Sequence, residues 1–326
     1  MKSGCNRFIK YTGMNIPENL TISSSLTEHK GSITAICISV KGLIVVASHD
    51  KYISIWCPVT YNCLKKLKFK DQVTSLCALS KNRIVCATKH IYILDLDLLD
   101  LGKPLCIEKL MQDHNDPITN ITNVKDVVLY VITSNKFFNI DLKSYEIMYL
   151  IQEYKFLCKL KIGFVSVSKS PIKTLTIHRR EMVFINFENP IWSICKFRKG
   201  FSYGCENGSI TVYDDSDTHP CRIMNAHASR VTCLIEFLST AFGSLLVSGS
   251  FDLSIKIWQI ESNDYKCVRT INVHSSYVRS IAIHPNKNSI VSTGDDNTIC
   301  ITSLEESMHL KEDDIPKKNK RRSLYR

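Results

Sequence analysis

The sequence predicts an all-β fold assembled from one repeated unit, and three observations carry that prediction. The stretch from His227 to Trp258 (HASRVTCLIEFLSTAFGSLLVSGSFDLSIKIW) reads as three short strands. Val231–Ile235 alternates, Leu245–Gly249 is apolar and then small, and Ile255–Trp258 alternates again. The turn before the last of these is rich in residues whose side chains cap their own backbone, and its Asp252 stands six residues before Trp258. That offset recurs: Asp50 stands six before Trp56, Asn207 six before Tyr213 and Asp296 six before Thr302. With three weaker copies the strand ends fall at 56, 94, 140, 177, 213, 258 and 302. A period of about forty residues holding four strands marks a β-propeller blade, and seven periods give a seven-bladed β-propeller of four-stranded antiparallel blades.

The His, Ser, Asp and Trp of the 227–258 unit resemble the WD-repeat (WD40) family, and the resemblance runs over residues 17–305. It implies that these four side chains hydrogen-bond together in each complete blade: His227, Ser248, Asp252 and Trp258 in the sixth. In the first blade it maps onto His29, Asp50 and Trp56, with Val46 at the hydroxyl position. In the seventh it maps onto His274, Ser292 and Asp296, with Thr302 replacing Trp. The resemblance further implies that the outer strand of the last blade comes from the N-terminal side and closes the ring.

Taken in order, residues 1–16 show no strand pattern and read as loosely ordered. Asn19–Leu26 alternates apolar and polar and fits the closing strand, because after Thr302 the chain turns charged (EESMHLKEDD) and offers no good fourth strand. Without it a row of backbone donors and acceptors would stay unpaired. The second repeat (DQVTSLCALSKNRIVCATKHIYIL) keeps the rhythm but lacks a clear tetrad. In the third, His114 stands as the blade histidine and Ile118 opens a strand; the fourth is read from rhythm, with Pro171 in its tight turn. Asn207-Gly208 in the fifth is a strong turn signal. Residues 306–326 form a charged tail with too few apolar residues to fold alone. Its KKNKRR run resembles a nuclear import signal and reads equally as a solvated or phosphate-touching tail.

The net charge is +11, of which residues 317–326 carry six positive charges and no acid, leaving +5 over the rest and a propeller that reads as mildly basic. No apolar run reaches the length of a membrane span, and the start of the chain has no signal-peptide core, which together place the protein in the cytoplasm, the nucleus or both. Fourteen cysteines without a Cys-x-x-Cys pair read as free thiols in a reducing compartment.

His, Ser and Asp invite a catalytic reading, but the set repeats blade by blade where a hydrolase needs one site. No Gly-x-Ser-x-Gly, phosphate-cradling or His-Glu-x-x-His motif occurs. No enzyme activity, cofactor or metal site is therefore expected. What remains is a surface. The resemblance implies docking on the face where the turns before each Asp and the first-strand starts emerge, which places His49, Trp192, Arg230, Phe251, Tyr277, Arg279 and Asp295 there. Aromatics and Arg are the types enriched at interface hot spots, and Arg favours an acidic or phosphorylated peptide; the alternative is that Trp192 and Phe251 pack between blades. The expected function is a non-enzymatic protein-interaction scaffold within a larger complex, with a weak likeness to the substrate-selecting propellers of ubiquitin ligases. The alternative is a component of an RNA-processing or ribosome-biogenesis particle that touches nucleic acid through its basic tail.

Overall fold

The computed structural model describes residues 22–99, strands and adjoining turns between 106 and 190, and residues 191–304 without 214–220, 224, 240–242 and 261–263. His114, Pro171, the first 21 residues and the tail from 305 onward lie outside the described residues.

The strands group into seven antiparallel sheets of four. Blade 1 is Ile33–Ile38, Ile44–Ser48, Tyr52–Trp56 and Cys63–Lys68. Blade 2 is Ser75–Leu79, Arg83–Ala87, Ile91–Asp95 and Cys106–Lys109. Blade 3 is Ile118–Val124, Val128–Thr133, Phe137–Asp141 and Ile147–Leu150. Blade 4 is Tyr154–Lys159, Phe164–Ser168, Thr174–His178 and Met182–Asn186. Blade 5 is Ile191–Phe197, Gly200–Cys205, Ile210–Tyr213 and Cys221–Ile223. Blade 6 is Val231–Ser239, Gly243–Ser250, Ile255–Ile260 and Tyr265–Ile271. Blade 7 is Val278–Ile283, Ser289–Gly294 and Ile299–Ser303, and the strand on its outer edge is Ile22–Leu26, paired antiparallel from Ile22↔Thr302 to Leu26↔Ile299. The first strands of successive blades lie side by side around a ring, that of blade 7 meeting that of blade 1. All seven strand ends read from the sequence fall in the third strands.

The core lies between blades. In the second strand of blade 1, Val45 and Ala47 pack toward blade 2 while Ile44 and Val46 pack toward blade 7. Both faces of such a strand are dry, so it reads as a continuous apolar run. Like interfaces join blades 2 and 3, 5 and 6, and 6 and 7. No cysteine among the described residues forms a disulfide, and burial pushes Cys37 up and Cys233 up to about 12.

Six of the seven first strands carry a bulge at their second residue, for example between Ile33 and Ala35 and between Val231 and Cys233. A bulged residue has no cross-strand partner, which frees its side chain to turn toward the next blade or the face of the ring. Thr34 and Thr232 use that freedom to bond the opening carbonyl of the next blade, at Val73 (2.6 Å) and Val278 (2.6 Å). Thr74, just ahead of an unbulged strand, reaches the Ile118 carbonyl (2.7 Å), and Ser193, paired in its ladder, reaches that of Val231 (2.9 Å). In blades 5 and 7 the bulged residue is instead Trp192 and Arg279.

Placed on the fold, the positive charge is not spread as its sum suggested. Residues 22–70, the approach to blade 1 and the blade itself, hold seven lysines (30, 41, 51, 65, 66, 68 and 70) against Glu28 and Asp50. A second basic stretch is residues 151–190, around blade 4, with seven Lys and Arg against three Glu; residues 305–316, with five acids against Lys311, offset it in the sum.

Candidate functional site

Two sets of polar side chains come together, one inside the blades and one on a face. The inner set starts from the turn between second and third strands. Asp50, Thr88, Asn207, Asp252 and Asp296 each accept the backbone N–H two residues on, at 2.9–3.1 Å. These are Asx-type turns. Gly208 shows how tightly they fit: its φ is +81°, and a Cβ there would lie 2.1 Å from the His227 carbonyl oxygen.

In blade 6 the His227 ring donates Nδ1–H to Asp252 (2.9 Å), which leaves Nε2 to accept from Ser248 Oγ (2.7 Å), and Trp258 Nε1–H donates to that same oxygen (2.8 Å). Each buried group thus finds a partner. Blade 7 repeats the chain from Asp296 through His274 to Ser292, and ends there. Thr302, at the Trp position, is buried, and its hydroxyl has no partner among the described residues.

Blade 1 corrects the expectation that Val46 leaves its tetrad without a hydroxyl. His29 meets Asp50 at 2.9 Å, and its Nε2 accepts from Ser54 Oγ at 2.7 Å, where Trp56 Nε1–H also arrives at 2.7 Å. Val46 and Ser54 are cross-strand partners, so the oxygen has moved one strand outward while staying at the same place in space.

Burial alone would raise the carboxyl pKa values of these aspartates, but the hydrogen bonds from His and turn groups more than reverse it. Asp252 is held well below the usual carboxylate range and Asp296 down to about 2. Burial also lowers His29, the bond to Asp50 opposing it only in part. Three buried copies of one network, each closed on itself, fit a structural role. Among the described residues no cluster of three or more His, Cys, Asp or Glu could hold a metal ion.

The second set lies on the face carrying the Asx turns. The structure brings all seven sequence-expected residues into one row. Arg230 lies 4.1 Å from the Trp192 ring centre and 4.8 Å from that of Phe251. Arg279 lies 4.8 Å from Phe251 on the blade 7 side, and Tyr277 stacks on Phe251 with centroids 4.1 Å apart and planes at 10°. Arg279 grips Asp295 with two bonds (2.8 and 2.6 Å), Asp295 accepts from Ser32 of blade 1, and the His49 N–H donates to the Ser32 carbonyl (2.9 Å). Trp192 and Phe251 are half-buried and Tyr277 is 43% exposed, so the row is open to solvent.

Arg279 holds Asp295 through two bonds and Arg230 meets Glu206 through one nitrogen at 3.0 Å, so each guanidinium already has a carboxylate partner within the chain. Sequence reasoning missed Leu253, 37% exposed beside Phe251 and held at φ +71°. Lys51, Gly208 and Asn297 hold the same turn position at positive φ, so this left-handed backbone belongs to the blade turn itself.

With that geometry established, likeness to known proteins can be placed on it. A WD domain, G-beta repeat model matches residues 20–57, 218–259 and 265–303. Each matched stretch starts on the outer strand of one blade and runs through three strands of the next. The nuclear distribution protein PAC1 of Arthroderma otae is 31% identical over 143 residues, 41% of this chain and 29% of that protein. The F-box/WD repeat-containing protein A-like protein of Dictyostelium discoideum is 25% identical over 284 residues, 87% of this chain and 22% of that protein. The chain therefore spans under a third of the length of these relatives. The solved structure of U3-55K superposes with a TM-score of 0.71 at 14% identity, over 86% of this chain and 98% of that one, a likeness of fold alone. No helix among the described residues is long and apolar enough to cross a membrane. WD repeats are thus matched in three places, across blades 1, 6 and 7, and the chain carries them within a β-propeller of seven four-stranded antiparallel sheets.

Proposed function

We propose that this protein is a non-enzymatic interaction scaffold that docks a peptide or protein partner on the face of blades 5 to 7. The observation that carries the reading is the row Trp192–Arg230–Phe251–Tyr277–Arg279. Two of its members sit on bulges where other blades place a seam threonine, so the row departs from what the ring itself needs. The internal pairs with Glu206 and Asp295 hold the arginines flat against the rings, which lowers the entropy lost when a partner arrives. With the forks engaged, the chemistry left on offer is apolar: the open face of Tyr277 beside Phe251 and Leu253. A partner that buries an aliphatic or aromatic side chain there fits better than one led by a phosphate.

The test compares capture by the intact chain and by Tyr277→Ala, with partners identified by mass spectrometry and affinities then measured. A partner held by the wild type should bind at least about 30-fold more weakly to the variant, as hot-spot truncations of about 2 kcal/mol do, while the melting temperature stays put. Partners captured equally by both would refute the reading.

A further inference from the structure

The second surface worth a function is the basic edge of blade 1, on the rim of the ring. Its outer strand and exit read Cys63-Leu-Lys-Lys-Leu-Lys68-Phe-Lys70, and Lys30 and Lys51 project from neighbouring turns. Lys30, Lys51, Lys65, Lys68 and Lys70 are exposed and Lys66 is half-buried. Among the described residues none of the six is paired with a carboxylate. Asp50 is consumed by His29, and Lys66 reaches only the backbone carbonyl of Glu28. Register places Tyr52 opposite Lys68 and Ser54 opposite Lys66, so these two lysines share one face of the sheet with the Tyr52 ring. Their ammonium groups lie 5.9 Å (Lys68) and 4.9 Å (Lys66) from its centre. Unpaired like charges this close raise the free energy of the folded chain, and an external anion relieves that cost.

The composition of the edge selects among anions. No arginine occurs between Arg7 and Arg83, so the edge offers point charges without the fork that grips a carboxylate in two places. Lysine is depleted at protein interfaces, which argues against an acidic protein. A membrane surface would call for a broad exposed apolar face beside the lysines, whereas on this strand Leu64 is exposed but Leu67 and Phe69 are half-buried, and Trp56 behind it is buried. A row of lysines along an extended strand, spanning roughly 17 Å from Lys65 to Lys70 with an aromatic ring among them, fits a phosphodiester backbone read without regard to sequence. We propose that the outer edge of blade 1 binds single-stranded nucleic acid through its phosphates. This surface is separate from the aromatic row on blades 5 to 7 and independent of the basic tail.

The test uses the full chain and a fluorescent oligouridylate of about 20 nucleotides, titrated across salt. Four lysine–phosphate contacts on a single strand contribute a slope of about −2.8 to log affinity against log salt, or about 50-fold weaker binding from about 50 to about 200 mM KCl. Replacing Lys65, Lys66, Lys68 and Lys70 together by Gln should remove that component with an unchanged melt, and replacing them by Arg should retain it. Deleting residues 317–326 should leave it in place, and Tyr277→Ala should not touch it. An unchanged slope in the Gln variant, binding that vanishes with the tail alone, or capture of phosphatidylserine vesicles in preference to the oligonucleotide would each overturn the assignment.

Discussion

At Ser54 one hydroxyl holds two buried N-containing rings, and its neighbour Val46 shows how a repeat can drift without failing. Ser54→Ala should strip partners from His29 and Trp56 and cost about 1–3 kcal/mol in urea denaturation, and adding Val46→Ser should recover much of that loss, because it returns the oxygen to where blade 6 has it. Asp252→Ala should cost a similar amount, about 1–3 kcal/mol, through His227, the Ala228 N–H and Ser254 rather than through Trp258, which donates elsewhere. The same groups set an acid limit. A carboxylate with a depressed folded pKa contributes stability that is complete above its unfolded value of about 3.9 and is lost as pH falls through the folded value, here about 2 for Asp296. His29, lowered by burial, adds in the same direction: the unfolded chain takes up a proton below about 6.5 where the folded one resists it, so stability declines as pH drops from there. Denaturation across pH should therefore show a loss starting near 6.5 and steepening below about 4, and Asp296→Asn should flatten the lower arm.

Single strands explain why some of this was legible and some was not. The Asp-to-strand-end offset was visible because both ends of it lie on one hairpin, and the row on blades 5 to 7 followed from where each turn falls in its repeat. The substitution of Ser54 for Val46 and the capture of Arg279 by Asp295 were hidden because the partners sit on different strands, whose register composition does not reveal. The bulge at the start of the first strands was hidden too, although it decides whether a side chain seals a seam, as Thr232 does, or faces outward, as Arg279 does. Thr232→Val keeps the shape and removes the bond to the Val278 carbonyl; it should cost about 1 kcal/mol and leave partner binding unchanged. Deleting residues 1–26 takes away the outer strand of blade 7 and should lower the melting temperature far more than deleting 307–326.

For the molecule as a whole, the charge total misled because it averages over a ring whose positive charge gathers at blades 1 and 4, with the acidic stretch 305–316 set against it. The ring also imposes an order of events. Ile22–Leu26 leaves the ribosome well ahead of its partner Ile299–Ser303, with the other blades made in between. At translation rates of 5–20 residues per second, that strand waits for roughly 15 to 55 s with its hydrogen-bonding edge open. During that interval it can only pair with something else or be shielded. Biogenesis of this chain should depend on a factor that occupies an unpaired strand until the seventh blade has been made, and the growing protein, rather than the finished one, is where its solubility is decided.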